Sequence, residues 1–465
     1  MLGYLVGQGG KTAAVAVGVV LILLLGLLAA PKAASLLLFW TAASGVLYPF
    51  VRYPWHSSPD VDFDRIVLGA LLVALPLIPR PPRVHRASAR LSYCLALFAV
   101  LYGLRAVTTG GRPALETFVD SVLLPCALFW VASRVVTSRE MTQRLTGCLA
   151  VLGSSVALLG IAEWLLKFQL ATWSGGTPFY DPFAHVVRVS GPYADPTSYG
   201  TVLVLCLAAT YYWWKTTGAR YGLVALCIEL VGTAPTFTKT TWVGALIVLI
   251  VVTGLRSYRP RRLLVTLTKF GIGLGLLYLL VGNTSVIQER VFHSTANLTS
   301  RLGEFVQGWH IFLAHLWWGV GVDNFINAQQ TQTAVYLFGQ ASTVSAHNNF
   351  VKIAAENGLP GIVAYLLVLI AAVALLRQLR RSAGSREEAL LGLCLVAAAL
   401  SYLAMSIALV LLYYAPGTQV LALLLGIGAG RLNAMQCEPP RLPEGRIVSP
   451  SGSALRQSGF QVDVP

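Results

Sequence analysis

The chain has 465 residues, 56% of them hydrophobic and only 11% charged, with a mean hydropathy of +0.68 and a net charge of +15. That balance excludes an ordinary soluble domain. The basic excess is no nucleic-acid footprint either, because it falls in short loops between apolar runs.

In chain order, the apolar runs predict spans near 12–30, 33–50, 66–79, 92–108, 116–133, 145–165, 198–214, 220–236, 241–255, 264–281, 359–376, 389–412 and 416–432. Runs without polar alternation describe helices rather than barrel strands. The expected fold is all-α, a polytopic integral membrane bundle of about 12 or 13 transmembrane helices with a large, partly helical loop at 282–350. One transmembrane domain is expected over 1–433. A disordered tail follows over 434–465, where Pro439, Pro440, Pro443 and Pro450 sit among polar residues. The N-terminus leaves the helix count open, since thirteen spans put it outside whereas Lys11 favours inside. The stretch 15–34, which ends in a signal-like LLAAPKAA, reads as a retained helix because Pro31 disfavours cleavage.

Four loops are rich in arginine: Arg80, Arg83, Arg86 and Arg90; Arg134, Arg139 and Arg144; Arg256, Arg259, Arg261 and Arg262; and Arg377, Arg380, Arg381 and Arg386. They alternate with sparsely basic loops, as the positive-inside rule expects. Loops 166–197, 237–240 and 282–350 then face outward and the C-terminal tail faces the cytoplasm. The seven cysteines are scattered, with no CxxC and no His/Cys cluster. They read as small buried hydrophobes, implying neither a disulfide framework nor a zinc site.

Chemistry is therefore sought in the outer loops. In HVVRVSGPYADPTSYG, Arg188 precedes a turn, and Asp195 followed by Pro196 is a helix start. Arg188 either snorkels to lipid headgroups or is held above the membrane for a ligand. In TFTKTTW, Lys239 sits among Thr236, Thr238, Thr240 and Thr241. That setting suits an oxyanion such as phosphate, or an interfacial lysine of no special role.

From Arg301 to Trp318, the residues Leu302, Phe305, Val306, Trp309, Phe312, Leu313 and Leu316 recur at helical spacing. They predict an amphipathic helix that lies on the bilayer or caps the bundle. Arg301 falls on the edge of the stripe, and His310 and His315 fall outside it and read as solvated. Arg290 and His293 carry no signal.

The stretch SAHNNFVKIAAENGLPG then sets His347 near the start of a short helix that breaks at Gly358 and Pro360. There the helix dipole and any nearby arginine disfavour the imidazolium, leaving a neutral ring able to accept a proton. Taken alone, His347 reads either as such a base or as a structural hydrogen-bonding residue. Lys352 and Glu356, four apart, form an ordinary helical pair.

His347, Asn348, nine residues, Gly358, two residues and Gly361 match the ligase pattern His-(Asn/Ser/Gln)-x9-Gly-x-x-(Gly/Thr/Tyr). The chain thereby resembles the O-antigen ligase and polymerase superfamily, membrane glycosyltransferases acting on undecaprenyl-diphosphate-linked glycans. RVSGPYADPTSYG is similar to the family's Arg-x-x-Gly segment. TFTKTTW is similar to its Ser-Arg hinge, with Lys239 where arginine is usual. RLGEFVQGWHIFLAHLWWGVGVDNF is similar to the segment that opens with Arg and ends in a Gly-x-Gly turn at Gly319 and Gly321.

The resemblance implies that Arg188, Arg301 and Lys239 hold the donor diphosphate. It makes His347 a general base or an acceptor-orienting residue, supported by Asn348, Gly358 and Gly361. It implies an inverting transfer at the periplasmic face of the bacterial inner membrane, with lipid A–core or another glycan as acceptor and no nucleic-acid partner. No cofactor is expected, since no Asp-x-Asp element or ligand cluster near these motifs requires a divalent ion. Lysine at 239 can offset charge but cannot make the bidentate fork of a guanidinium.

The His347 pattern favours the ligase branch, as does the absence of an arginine in the large outer loop followed after ten residues by glycine, an element of some polymerases. An O-antigen or exopolysaccharide polymerase is the main alternative. A lipid-glycan flippase or transporter is a further one, which needs ionisable groups deep in the bundle. Asp120, Glu229 and Lys269 are the candidates, with Asp120 and Lys269 near predicted span ends.

Overall fold

The computed structural model describes residues 26–52, 63–168, 186–193, 195–254, 295–331 and 346–437, with the pair Tyr180–Asp181 and a few single residues between them. Most of the expected span 12–30, the expected span 264–281, Lys269, Arg290, His293 and the tail from 438 lie outside the described residues.

Local chemistry sets the helix ends. Helix α1 (Ala33–Arg52) follows a 3-10 turn, and α2 (Phe63–Ala74) and α3 (Arg86–Thr109) come next. Helix α4 (Gly111–Phe118) runs through a π turn at Val119–Leu123 into α5 (Leu124–Val135). In α6 (Arg139–Leu166) the first turn is capped by the Ser138 hydroxyl, which accepts from the Met141 amide at 3.1 Å. A two-residue antiparallel pairing follows, with β1 (Tyr180–Asp181) against β2 (Val186–Val187). Helix α7 (Pro196–Thr217) starts as the sequence predicts: Asp195 Oδ1 accepts from the Thr197 and Ser198 amides at 2.8 and 2.9 Å. It ends at Gly218. The remaining helices are α8 (Arg220–Thr233), α9 (Lys239–Gly254), α10 (Thr295–Ala314), α11 (Phe325–Thr331), α12 (Asn349–Arg381), α13 (Arg386–Ser406) and α14 (Ala415–Met435).

Among the described residues, seven helices are long and apolar enough to cross a membrane: Gly26–Leu47, Arg86–Thr109, Gly111–Val135, Arg139–Leu166, Asn349–Arg381, Arg386–Ser406 and Ala415–Met435. The protein is a polytopic helical membrane protein. The expected spans 66–79, 198–214, 220–236 and 241–255 fall on α2, α7, α8 and α9, which are shorter or less apolar. Helix α8, at 14 residues, extends only about 21 Å, less than the ~30 Å hydrocarbon core. On α3, Tyr93, Leu97, Val100, Leu104 and Val107 recur three and four apart and are all exposed, a stripe suited to lipid rather than water. Helix α7 lies at the centre, buried over nearly its whole length and packed on α6, α8, α9, α13 and α14.

One end of the bundle carries the arginine-rich turns. There, buried Arg431 and half-buried Arg139 both reach Glu388 Oε1, at 3.1 and 3.0 Å, and the Asn433 side chain accepts from the His85 amide at 2.9 Å. These bonds tie the α5–α6 turn to the starts of α3 and α13 and the end of α14.

Among the described residues, Asp120 and Glu229 each have a partner inside the bundle. Asp120 departs from expectation: it lies not at a span end but in the π turn within Gly111–Val135, where Arg65 binds it at two points, 2.9 and 2.6 Å. Glu229 is fully buried and accepts from the Thr210 hydroxyl at 2.8 Å.

Helix α12 has two parts. At Gly358 the backbone adopts φ +66 and ψ −164, a conformation open essentially to glycine alone. The turn before α11 zips onto this kink: Val320 and Gly321 amides donate to the carbonyls of Ala355 and Glu356, both at 2.9 Å, and the Leu359 amide donates to Leu316 at 2.7 Å. A Cβ at Gly358 would lie 2.5 Å from the Trp317 carbonyl oxygen. Gly358→Ala is expected to cost about 1–3 kcal/mol in backbone strain alone, before the clash. The check is the melting temperature in detergent, which should fall; an unchanged value would contradict the kink's role.

Candidate active site

The end of the bundle opposite the arginine-rich turns gathers the outer loops. Arg188 leaves β2 and is fixed from two sides. Behind it, buried Glu163 accepts from the amides of Ser190 and Gly191 at 3.1 and 2.7 Å, and from Leu170 at 3.1 Å. In front, Arg188 Nε donates to the Thr236 carbonyl at 3.0 Å and Nη2 to Thr238 Oγ1 at 2.5 Å. The Val189 amide adds a bond to the Pro235 carbonyl at 3.1 Å. Arg188 is thus seated on the hinge whose next residue is Lys239, the exposed first residue of α9.

Helix α10 supplies the second wall. Its expected apolar stripe splits in the structure. Leu302, Phe305, Trp309 and Leu313 face outward, with Trp317 and Trp318 beyond them, whereas Ile311 and Phe312 are buried with Glu304, Gln307 and Gly308 against α12. The helix therefore turns an aromatic edge toward lipid and a partly polar face toward the loops. His310 and His315 are exposed, as expected.

Glu304, 2% exposed, meets His347 on that inner face, with Oε2 2.6 Å from Nδ1. A carboxylate there accepts a hydrogen bond from the Nδ1–H tautomer of a neutral imidazole, the tautomer that leaves the lone pair on Nε2. His347 holds φ +41, a left-handed backbone that costs a non-glycine residue about 1–3 kcal/mol. Asn348 maintains it: its Oδ1 caps α12 by accepting from Phe350 and Val351, both at 3.0 Å, and its Nδ2 donates to the Ile407 carbonyl at 2.8 Å. Arg301 lies one turn before Glu304 on α10 and donates to the Ala408 carbonyl at 3.4 Å.

Residues 407–414, between α13 and α14, form the floor on which these walls meet. Beside the bonds from Arg301 and Asn348, the Leu412 amide donates to Asn349 Oδ1 at 3.1 Å. Tyr413 bonds Glu356, and Lys352 stands 3.7 Å from Glu356 Oε1 and 3.7 Å over the Tyr413 ring, the helical pair of the sequence joined by a third member. Tyr414, the last residue of this floor, feels the surrounding charges. Its phenol is pushed up to about 12 by burial and then by the Asp195 carboxylate, while a hydrogen bond with Thr197 and the charges of Arg188 and Arg301 pull it back. Burial also raises the Asp195 carboxyl, against the hydrogen bonds of its own cap.

Of the sequence-predicted residues, Arg188 is seated on the Thr236–Thr238 hinge, and Arg301, bonded to the Ala408 carbonyl of the floor, stands one turn from the Glu304–His347 pair. Asn348, Gly358 and Gly361 build the short helix that carries His347. Lys239 joins through the hinge that anchors Arg188. The geometry offers two fixed guanidinium charges and an imidazole with an oriented proton, the components of anion stabilisation and proton abstraction.

Residues 223–366 match the family model described as O-antigen ligase. Over that segment the chain is similar to the O-antigen ligase superfamily, in line with the His347 pattern. No curated protein matches it. The O-antigen ligase match includes Lys239, Arg301, Glu304, His347, Gly358 and Gly361, whereas Arg188 and the 407–414 floor lie outside it.

Sequence reasoning missed Glu304 and Tyr414. Glu304 follows Arg301 by three residues, the spacing that puts two side chains on one helix face. Had the polar side of α10 been read as facing inward, that spacing would have found it. Tyr414 directly precedes Ala415 and Pro416, a helix start between two spans. Its aromatic character gave no further signal.

Proposed function

We propose that the protein is an O-antigen ligase-type glycosyltransferase. It moves a glycan from undecaprenyl diphosphate to a sugar hydroxyl of lipid A–core at the periplasmic face of the inner membrane. The observation that carries this reading is the Glu304–His347 pair, 2.6 Å apart, with Arg301 one turn away on the same helix.

Glu304 holds the Nδ1 proton and orients the ring. Nε2 takes the proton of the acceptor hydroxyl as that oxygen attacks the anomeric carbon. The bond from the anomeric carbon to the diphosphate oxygen breaks, and its electron pair leaves with the diphosphate. Attack from the face opposite the leaving group inverts the centre. The diphosphate gains charge as it departs, and Arg188 and Arg301, already fixed by their hydrogen bonds, stabilise it without reorganising. The base thus serves a step that the arginines make possible.

Lys239 adds a third cation from an exposed position. Lys239→Ala is expected to slow transfer by less than about tenfold, because an exposed charge is well screened. Transfer rates of purified variant and wild type check this; a loss as large as that of Arg301→Ala would move Lys239 to the centre of the site.

The surface-glycan profile of a deletion strain, complemented with wild type or His347→Ala, tests the assignment. Long glycan left on its lipid carrier, with bare lipid A–core at the surface, is the expected result for both the deletion and the variant. Collapse to single repeats, or loss of a separate exopolysaccharide, would make the protein a polymerase instead.

A further inference from the structure

A cavity of about 500 Å³ lies behind the floor of the His347 site, which it meets at Leu412, entering the bundle between α12 and α13 and ending on α14 and α5. Its walls are apolar, with Phe129, Ala372, Val396 and Leu421 among them. Val373 and Leu400 line it and are 63% and 44% exposed, so the crevice opens sideways, where the bilayer lies.

Its two ends differ. Toward the His347 side it is lined by Leu412, by Tyr402 and Thr418, whose hydroxyls bond at 2.8 Å, and by Tyr365, whose hydroxyl accepts from Asn349 at 2.8 Å. At the other end it is lined by Arg377, Arg380 and Arg381, and none of its lining residues is acidic. Tyr365 and Arg381 stand on one helix about 24 Å apart, most of the ~30 Å hydrocarbon core.

The positive-inside pattern accounts for arginines at this end of the bundle. It does not account for their lining an apolar slot. A dry slot that opens toward lipid and ends in three cations complements an amphiphile with an anionic head. The position of the cations also selects which amphiphile. A donor lipid must present its diphosphate at the His347 side, whereas the cations of this crevice stand at the opposite end.

We propose that the crevice holds an acyl chain of an anionic phospholipid from the leaflet at the arginine-rich face, with its phosphate on Arg377, Arg380 and Arg381. The chain lies along α12 and ends beneath Tyr365. The choice of a phospholipid over the donor lipid rests on the glycosyltransferase reading, whereas the crevice and its arginines do not.

The test is native mass spectrometry of the full-length protein, released from nanodiscs containing equal phosphatidylglycerol and phosphatidylethanolamine of the same chains. Wild type is expected to retain phosphatidylglycerol over phosphatidylethanolamine by about tenfold or more. The combined Arg377→Gln, Arg380→Gln and Arg381→Gln variant should lose that preference. Ala372→Phe, which fills the slot and leaves the arginines in place, should lose the lipid as well. Val396→Phe fills it from the facing helix, should Ala372→Phe fail to fold. Absence of a preference in wild type overturns the proposal, as does recovery of a polyprenyl lipid in its place. Retention of phosphatidylglycerol by a folded slot-filled variant overturns it too, because surface charge alone would then hold the lipid.

Discussion

His347→Ala is expected to lower glycan transfer by about 100- to 10,000-fold while the protein stays folded, the range over which a positioned general base contributes. The effect belongs to the pair rather than to the ring alone. In Glu304→Gln the amide no longer draws the proton to Nδ1, so the basic nitrogen can be the one turned away from the acceptor. That variant should approach the loss of His347→Ala. The double variant should be scarcely worse than either single one, as for groups that act as a unit. Transfer rates of the three purified variants decide this. Additive losses, or a Glu304→Gln enzyme near wild-type activity, would show that the carboxylate only braces α10.

Arg301→Ala and Arg188→Ala are each expected to slow transfer by about 100- to 1,000-fold, the cost of removing one fixed donor from a developing anion. Lysine should not rescue Arg188. Its Nε and Nη2 bonds to Thr236 and Thr238 use two donors held in a fixed plane, and an ammonium cannot reproduce them while still facing a diphosphate. Lysine at 301 should recover more, because the 3.4 Å bond to the Ala408 carbonyl needs one donor, which an ammonium supplies. The measurement is kcat and KM for the lipid-linked donor. A loss confined to KM would mean that the arginines bind the ground state and transition state alike.

Both sets of variants rest on a site only partly legible in the sequence. Composition and apolar runs fixed the class, because a helical bundle is among the few ways to bury so much apolar surface in a bilayer. The local signals also held: Asp195–Pro196 starts a helix and Gly358 breaks one. These depend on side chains within a few residues of one another.

What failed to show were contacts between distant segments. Arg65 meets Asp120 across 55 residues and Glu304 meets His347 across 43, separations at which a single sequence carries no spacing signal. The stripe on α10 hid Glu304 for a different reason. The sequence sets the helix either on the bilayer or on the bundle, whereas its apolar residues divide between an exposed edge and a buried one, and Glu304 shares the buried one. The environment of His347 shifted accordingly, since a carboxylate joins the helix dipole and arginines expected around it.

The most direct measurement is the reaction of purified wild-type protein in detergent with a glycan on undecaprenyl diphosphate and lipid A–core as acceptor. The account predicts a new glycosidic bond of inverted anomeric configuration and one undecaprenyl diphosphate released per transfer, with no gradient or second compartment. A retained configuration would contradict the single displacement at His347. No product in detergent, alongside movement of the intact lipid-linked glycan across a vesicle, would make the protein a transporter.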